Sequence, residues 1–257
     1  MNNRDKKLKV YLDRLFLKYK SKYSSDDPVW ILNKLKNPEN AEITAFIISC
    51  YCYGQISQIK FITETFLKSI NYNVLRFVSE YKSSRDFKFI KGFNYRFNND
   101  KDFECLILNI QNCILKYGSL KRLFLKYYST KDENIINSLI YFSTELNKIK
   151  VKGTKNFSYL IPNPEQGSTC KRLNLFLRWM VRKDEIDLGL WNREVHTLKL
   201  IIPVDTHVFR ISRKLKLVER KSCDLKYAVE LTNKLKQFDP NDPVKYDFAL
   251  CHSEIEK

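Results

Sequence analysis

The sequence predicts an all-α protein, and two observations lead to this fold class. Only six glycines and seven prolines occur in 257 residues, so few positions favour turns over helices. Most segments repeat apolar residues every three or four positions, which is the period of an amphipathic helix. An apolar fraction of 44% and an aromatic fraction of 14% are sufficient for a hydrophobic core. We therefore expect packed helices joined by short turns.

The same period locates individual helices. Val10, Leu12 and Leu15 pattern a first helix, and residues 41–53 are apolar nearly all round, which predicts a central buried helix. The aromatic run Phe93–Phe97 is short and lies between glycine and asparagines, so we expect a loop there. Further helices are predicted at 56–69, at about 101–116, 119–128, 132–147 and 169–182, after Asp205, and as a short final helix.

Residues 150–168 form the longest stretch without a helical period. They contain two glycines and two prolines, which are the residues that most often interrupt regular structure. We expect this stretch to connect two lobes of the molecule and to end in a turn.

The charge of the chain indicates the class of partner. Its 46 Lys and Arg against 29 Asp and Glu give a net charge of +17, which favours a polyanion such as nucleic acid. No stretch reaches the roughly 18 to 20 apolar residues that a membrane span needs, and the polar start has no signal-peptide core. We expect a cytoplasmic protein without membrane association. A basic composition shared with ordinary enzymes of the same genome is the alternative explanation of the charge.

The cysteines indicate a reducing compartment and no metal centre. The seven cysteines contain no CxxC pair, and an odd set without a signal peptide is typical of cytosolic thiols. Only Cys223 and Cys251 follow Asp205, which is too few to ligate an iron–sulfur cluster there. The sequence therefore predicts no metal and no cofactor.

A turn followed by an amphipathic helix carries the first candidate catalytic residue. Pro164 to Gly167 reads as the turn, and Ser168 is the expected N-cap. Lys171 lies in the first helical turn beside Arg172, whose charge favours the unprotonated, nucleophilic amine. A surface lysine is the alternative reading. One helix face is apolar, and the opposite stripe, expected to face outward, is Lys171, Asn174, Arg178 and Arg182.

The second candidate is Asp205, which follows Pro203 and Val204. An aspartate here is a good N-cap for the helix after it, and a purely structural cap is the alternative interpretation. The apolar face of that helix contains Val208 and Ile211. Its outer face is basic and comprises Arg210, Arg213, Lys214 and Lys216.

Taken together, the two segments resemble a known superfamily. The run Lys171–Asn174 and the run Pro203–Arg210 resemble the helix-hairpin-helix DNA glycosylases. Three further runs, Asn94–Phe97, Arg178–Asp184 and Asp242–Leu250, are similar to an uncharacterised bacterial branch, DUF2400. The matching residues are spread over nearly the whole chain. The resemblance implies a single two-lobed helical glycosylase domain over residues 1–257, with the hairpin and catalytic segment at 160–216.

The resemblance also implies residue roles. Lys171 would attack the sugar carbon that carries the damaged base, and Asp205 would assist. The residues expected to bind the DNA backbone are Gly167, Ser168, Thr169, Arg172, Arg178, Arg210 and Arg213. The residues expected around an extruded base are Tyr53, Gln55, Gln58, Phe97, Trp179, Asp187 and Trp191. For each of them, packing in the core or solvation at the surface is the alternative.

Two departures from the superfamily pattern refine the expectation. The hairpin has one glycine where the superfamily usually has two. The interval from Lys171 to Asp205 is longer than in endonuclease III-like members and more similar to that of archaeal 8-oxoguanine glycosylases. We expect a monomeric base-excision-repair glycosylase with AP-lyase activity that acts on damaged double-stranded DNA of the nucleoid, with 8-oxoguanine as the best candidate lesion. The alternatives are a non-catalytic DNA-binding module, a helical RNA-binding protein, and a monofunctional glycosylase in which water attacks.

Overall fold

The computed structural model describes residues 1–22 and 28–252, in which all the regular secondary structure is helical and no β-strand occurs. The all-α prediction is confirmed. The α-helices are α1 (Asn3–Lys22), α2 (Pro38–Cys50), α3 (Ile56–Ser69), α4 (Val74–Ser79), α5 (Ser83–Asp86), α6 (Asp100–Tyr117), α7 (Leu120–Lys126), α8 (Ile136–Glu145), α9 (Phe157–Leu160), α10 (Lys171–Val181), α11 (Thr206–Lys214), α12 (Leu225–Lys236) and α13 (Tyr246–His252). Short 3-10 helices lie at Pro28–Lys34, Phe87–Phe89, Pro164–Gln166, Thr197–Lys199 and Pro243–Lys245.

The described residues form two compact units. Unit 1 contains α1, residues 133–135 and the chain from Pro164 onward, and unit 2 contains residues 28–132 and 136–163. The chain passes from unit 2 to unit 1 between Asn163 and Pro164, inside the stretch 150–168 that the sequence predicts as a connection. Within the described ranges, no helix combines the length and the apolar character that crossing a bilayer requires.

Unit 2 is built around α2 and α6. The α2 helix is buried from Ala41 to Cys50, as its apolar sequence predicts, and the Asn37 side chain caps its first backbone N–H groups. At the start of α6, Asn99 and Asp102 accept hydrogen bonds from each other's backbone N–H groups, which is a capping box. Gly118 ends α6 with a φ of +87°, a conformation that favours glycine. These caps fix the ends of both core helices.

Unit 1 is built around α10, in which every residue from Arg172 to Val181 is buried. The α13 helix packs against α1 and against α11. The Tyr246 hydroxyl donates a hydrogen bond to Asp13 Oδ1 at 2.9 Å, which joins α13 to α1. Unit 1 therefore brings together helices from the two ends of the described chain.

Most helices lie where the sequence places them, with ends that differ by a few residues. The Phe93–Phe97 segment is a loop, as predicted. The α12 helix was not predicted, although its buried residues Tyr227, Ala228, Leu231 and Leu235 follow the helical period. The 150–168 stretch contains one short helix, α9, that the period does not reveal.

Candidate active site around Lys171 and Asp205

The segment before α10 differs from the prediction in how the helix begins. Ser168 was expected as the N-cap, but the N-cap is Cys170, which has φ +50° and ψ +37°. Ser168 instead accepts a hydrogen bond from the Cys170 N–H through its Oγ, at 3.1 Å. A non-glycine residue in the left-handed region is strained. This strained, buried cysteine immediately precedes Lys171, so the chain enters α10 with Lys171 as its first helical residue.

Asp205 is the N-cap of α11, as predicted. Its Oδ1 accepts hydrogen bonds from the backbone N–H groups of His207 and Val208, both at 2.9 Å. These bonds satisfy two donors that the helix itself leaves unpaired, and they fix the orientation of the carboxylate. The second carboxylate oxygen, Oδ2, is directed elsewhere.

That second oxygen faces the candidate nucleophile. Lys171 Nζ lies 3.7 Å from Asp205 Oδ2, and the two side chains are 27% and 36% exposed. The structure therefore brings together the two residues that the sequence singles out. Because both side chains are partly exposed, a ligand can reach the ion pair.

The two segments that carry this pair are joined directly. The Thr169 hydroxyl donates a hydrogen bond to the Val204 carbonyl at 2.9 Å, which connects the residues next to Cys170 and Asp205. The Asn174 side-chain amide donates to the Thr169 carbonyl at 3.0 Å. The turn at Gly167, where φ is +76°, is anchored to α12 because the Leu225 N–H donates to the Gly167 carbonyl at 2.9 Å.

The predicted DNA contact of Arg178 is contradicted by its burial. Arg178 is 3% exposed, with its guanidinium against Asp187 and Asp247. Arg182 pairs with Asp184, Asp187 and Asp242. The polar stripe of α10 was expected to face outward, but its residues Asn174, Arg178 and Arg182 are buried. There the arginines and aspartates neutralise one another. Arg178 is not available to a phosphate, and Asp187 is not available to a base.

Two aromatic residues expected around an extruded base are also buried in the core. Trp179 and Trp191 are both 0% exposed. Trp191 packs edge-on against Phe176, with ring centroids 5.2 Å apart, and its backbone N–H donates to the Met180 carbonyl at 2.7 Å. These contacts fasten residues 183–201, a polar insert between α10 and α11, onto α10, so the insert's tryptophan supports the helix and is not open to a ligand.

The other three arginines predicted to bind DNA differ in their exposure to solvent. Arg210 and Arg213 are exposed on α11, and an Arg210 nitrogen lies 3.2 Å from His207 Nδ1. Arg172 is only 8% exposed, which leaves little of it for a DNA backbone. Arg210 and Arg213 are therefore the predicted DNA-binding arginines that remain exposed.

The chain matches, over residues 27–256, the model of a protein family of unknown function, DUF2400. The protein belongs to the DUF2400 family. The resemblance to DUF2400 is thereby confirmed. No curated protein and no solved structure gives a match.

Four residues predicted around a base lie in unit 2 of this DUF2400 member. Gln55 and Gln58 are exposed at the start of α3, and Gln55 is the N-cap residue without a side-chain cap bond. Tyr53 is half-buried and Phe97 is 52% exposed. Their rings are parallel within 2° with centroids 6.2 Å apart, so the structure brings these two aromatic residues together.

The α13 helix contributes two residues to which the sequence assigned no role. The Cys251 thiol donates to Asp247 Oδ1 at 3.4 Å. Burial raises the pKa of the Cys251 thiol well above its usual value, and the carboxylates of Asp247 and Asp205 raise it further, while Lys171 opposes them. Cys251 therefore lies within electrostatic reach of the candidate pair. The resemblance covered Asp247 but gave no reason to select it.

The described residues show no cluster suited to a metal. Among residues 1–22 and 28–252, no group of three or more His, Cys, Asp or Glu side chains is arranged to hold a metal ion. The groups that the site itself offers are an amine and a carboxylate, which are suited to nucleophilic attack and proton transfer.

Proposed function

We propose that this protein is a DNA glycosylase with AP-lyase activity, with Lys171 as the nucleophile and Asp205 as its carboxylate partner. The observation that carries the proposal is the 3.7 Å separation of Lys171 Nζ and Asp205 Oδ2. The resemblance of the two surrounding segments to helix-hairpin-helix glycosylases supplies the substrate class. The net charge of +17 supports a nucleic-acid partner.

The two oxygens of Asp205 have separate tasks in this proposal. Oδ1 is held by the N–H groups of His207 and Val208, so the carboxylate cannot rotate without breaking the cap. Oδ2 is then held towards Lys171, where it can accept a proton from the ammonium group. It can also stabilise positive charge that develops on the sugar. A carboxylate fixed in advance need not reorganise during the reaction.

The proposed reaction passes through a Schiff base between Lys171 and the sugar. The Lys171 amine attacks C1′ of the damaged nucleotide, and the bond from C1′ to the base breaks, so that the base leaves with the bonding electron pair and takes up a proton. Opening of the sugar ring gives a protonated Schiff base between Nζ and C1′. Loss of a C2′ proton then expels the 3′ phosphate by β-elimination. Water finally hydrolyses the imine and regenerates the Lys171 amine.

DNA binding would use the surface around the pair. The turn at Pro164–Gly167, followed directly by α10, is the proposed hairpin, and Arg210 and Arg213 are the exposed cations that would contact phosphates. We take the two compact units as the two lobes of the glycosylase fold. The enzyme would act as a monomer in the cytoplasm, with 8-oxoguanine as the first lesion to test.

The deciding experiment traps the covalent intermediate. The full chain is incubated with duplexes that carry 8-oxoguanine, uracil, thymine glycol or an abasic site, and borohydride is added to reduce any Schiff base to a stable amine. We expect a protein–DNA adduct that disappears in Lys171→Gln. The matched control is Lys183→Gln, which removes an exposed lysine just beyond the end of α10 and should leave the adduct unchanged.

Asp205→Asn isolates the charge of the carboxylate from its role as a cap. Asparagine caps helices as well as aspartate does, so the fold is retained while the negative charge beside Nζ is removed. We expect the rate of adduct formation to fall about 100-fold. If the protein binds the duplexes tightly but forms an adduct with none of the four, it is a DNA-binding module without this chemistry. If the base is released but no adduct forms, the protein is a monofunctional glycosylase.

A further inference from the structure

Unit 2 presents a group of aromatic rings around one arginine, which we call the aromatic cluster: Tyr53, Arg96, Phe97 and Tyr159. Tyr159 meets Tyr53 and Phe97 edge-on, with centroid separations of 5.1 and 5.8 Å. The Arg96 guanidinium lies 5.9 Å from the Tyr53 ring and 5.4 Å from the Phe97 ring. Both distances fall within the range of a cation–π contact.

The cluster is open to solvent, which is unusual for rings of this size. Phe97 is 52% and Tyr159 is 43% exposed, and Arg96 is exposed as well. Exposure of aromatic surface to water is unfavourable compared with its burial. Grouped exposed rings are therefore typical of a surface that binds a partner.

The loop that carries Arg96 and Phe97 is held rigid. Tyr95 and Asn98 exchange two backbone hydrogen bonds, at 2.9 and 3.0 Å, which makes Arg96 and Phe97 the two central residues of a tight turn. The Asn156 side chain donates to the Phe97 carbonyl at 2.8 Å, and the Tyr53 hydroxyl donates to Asn98. The rings are thus fixed before any ligand arrives, which lowers the entropic penalty of binding.

The backbone of the turn is strained at the residue that carries the charge. Arg96 has φ +52° at the first central position of a two-residue turn, where glycine is favoured. Gly54 lies beneath it with φ +106°, and a Cβ there would come within 2.6 Å of the Tyr95 hydroxyl and 2.8 Å of an Arg96 nitrogen. An arginine in a position suited to glycine indicates that its side chain serves a purpose other than stability.

A lysine-rich segment is bonded to the turn that carries the cluster. Between Asn147 and Tyr159 the sequence contains four lysines and no acidic residue, and all four lysines are exposed. The Asn156 bond to Phe97 joins this lysine segment to the turn. Stacking rings beside a row of cations are the combination that binds single-stranded nucleic acid.

We propose that the aromatic cluster stacks one unpaired nucleobase of a DNA strand, with the neighbouring phosphates on Lys150, Lys152 and Lys155. The planar π-face of a base fits the exposed Phe97 ring, and the phosphates complement the lysines. The choice of DNA rests on the proposed function. The stacking itself requires neither Lys171 nor Asp205.

The experiment uses 2-aminopurine, a fluorescent adenine analogue whose emission falls when it stacks on an aromatic ring. The full chain carrying Lys171→Gln, which cannot form an adduct, is titrated with a duplex containing one bulged 2-aminopurine. We expect quenching on binding, and about tenfold weaker binding together with loss of quenching in Phe97→Ala. Phe97→Trp should restore both. The matched control is Phe61→Ala, which removes an exposed ring, 72% accessible, elsewhere in unit 2.

Each outcome bears on one proposal. Unchanged quenching in Phe97→Ala, with the fold verified by circular dichroism, overturns the stacking assignment even if the borohydride adduct forms. If no adduct forms but the quenching still depends on Phe97, the stacking assignment stands and the glycosylase chemistry is overturned. Equal quenching of a fully paired duplex overturns the requirement for an unpaired base. Tighter binding of the corresponding RNA overturns the choice of DNA.

Discussion

The Thr169 hydroxyl donates a hydrogen bond to the Val204 carbonyl at 2.9 Å. This bond joins the strained turn before α10 to the extended segment before α11. Lys171 follows the first residue by two positions, and Asp205 follows the second by one. The bond therefore limits how far apart the backbones at Lys171 and Asp205 can lie. The flexible lysine side chain can change the distance between Nζ and the carboxylate only within that limit.

Thr169→Val tests this link because valine keeps the shape of threonine and removes the donor. We expect the free energy of unfolding to fall by about 1 kcal/mol, the usual net contribution of one hydrogen bond. Adduct formation in the borohydride assay should slow about tenfold, since small displacements of reacting groups have large effects on rate. Urea denaturation and trapping kinetics measure the two effects. Thr130→Val, at an exposed threonine, is the control, and an unaltered trapping rate in Thr169→Val would show that the link is not required.

Arg178→Met and Arg210→Met separate a structural arginine from a DNA-binding one. Removal of the buried Arg178 leaves Asp247 without its arginine and Asp187 with Arg182 alone, so we expect a loss of about 3–5 kcal/mol in unfolding free energy. Removal of the exposed Arg210 should leave stability within about 0.5 kcal/mol and reduce the salt dependence of DNA binding by about one phosphate contact.

The buried arginine has a compensated variant that keeps the test interpretable. Arg178→Met combined with Asp247→Leu removes a charge of each sign and should recover part of the lost stability. Denaturation curves and binding isotherms at several salt concentrations provide the measurements. A stable Arg178→Met protein with a reduced salt slope would mean that Arg178 contacts phosphate after all.

Arg96→Gly and Arg96→Ala isolate the strain of the turn. Both substitutions remove the guanidinium, and they differ only in backbone freedom. At an ordinary position alanine is the more stabilising of the two, but at φ +52° we expect the glycine variant to be more stable by about 1 kcal/mol. Thermal denaturation of the two proteins side by side measures the difference. Equal stability would indicate that the turn relaxes once the arginine is removed.

Asp224 gives unit 1 a defined dependence on acid. It caps α12 through a bond from the Tyr227 N–H, and the hydrogen bond from Arg220 holds the pKa of its carboxyl at about 2. A folded-state pKa below that of the unfolded chain means that the stabilisation is complete above about pH 4 and is lost as the pH falls towards about 2.

Asp224→Asn keeps the cap and removes the charge. We expect it to lower the unfolding free energy by about 0.5 kcal/mol at neutral pH, since the side chain is partly exposed and solvent screens its charge. The difference from the parent should disappear at the acid end of the range. Denaturation at a series of pH values measures this, and a constant difference at every pH would contradict the assigned cause.

Local patterns in the sequence predict the fold class, and they also locate the helix starts at which Lys171 and Asp205 lie. Apolar spacing identifies α10, and an aspartate before a basic amphipathic segment identifies a capped helix. The pairing of Lys171 with Asp205 came from the resemblance, since no local pattern relates residues so far apart. The structure brings them within 3.7 Å.

The environment of Arg178 and Arg182 could not be read from the sequence. Their stripe on α10 looks like a solvated face, since the helical period separates polar from apolar faces but does not say which polar face is buried. The aspartates that neutralise the two arginines come from the insert, from the segment before α13 and from α13 itself. Their arrival at one place is a property of the tertiary fold.

The packing of α1 against α13 determines the order in which the protein can fold as it is synthesised. The buried face of α1, which includes Leu12 and Tyr19, leaves the ribosome more than 200 residues before α13. All of unit 2 is translated in that interval. Unit 2 can therefore fold while the chain is still growing, whereas α1 has to wait for α13. Until α13 arrives, the apolar face of α1 lacks the helix that packs against it in the folded protein.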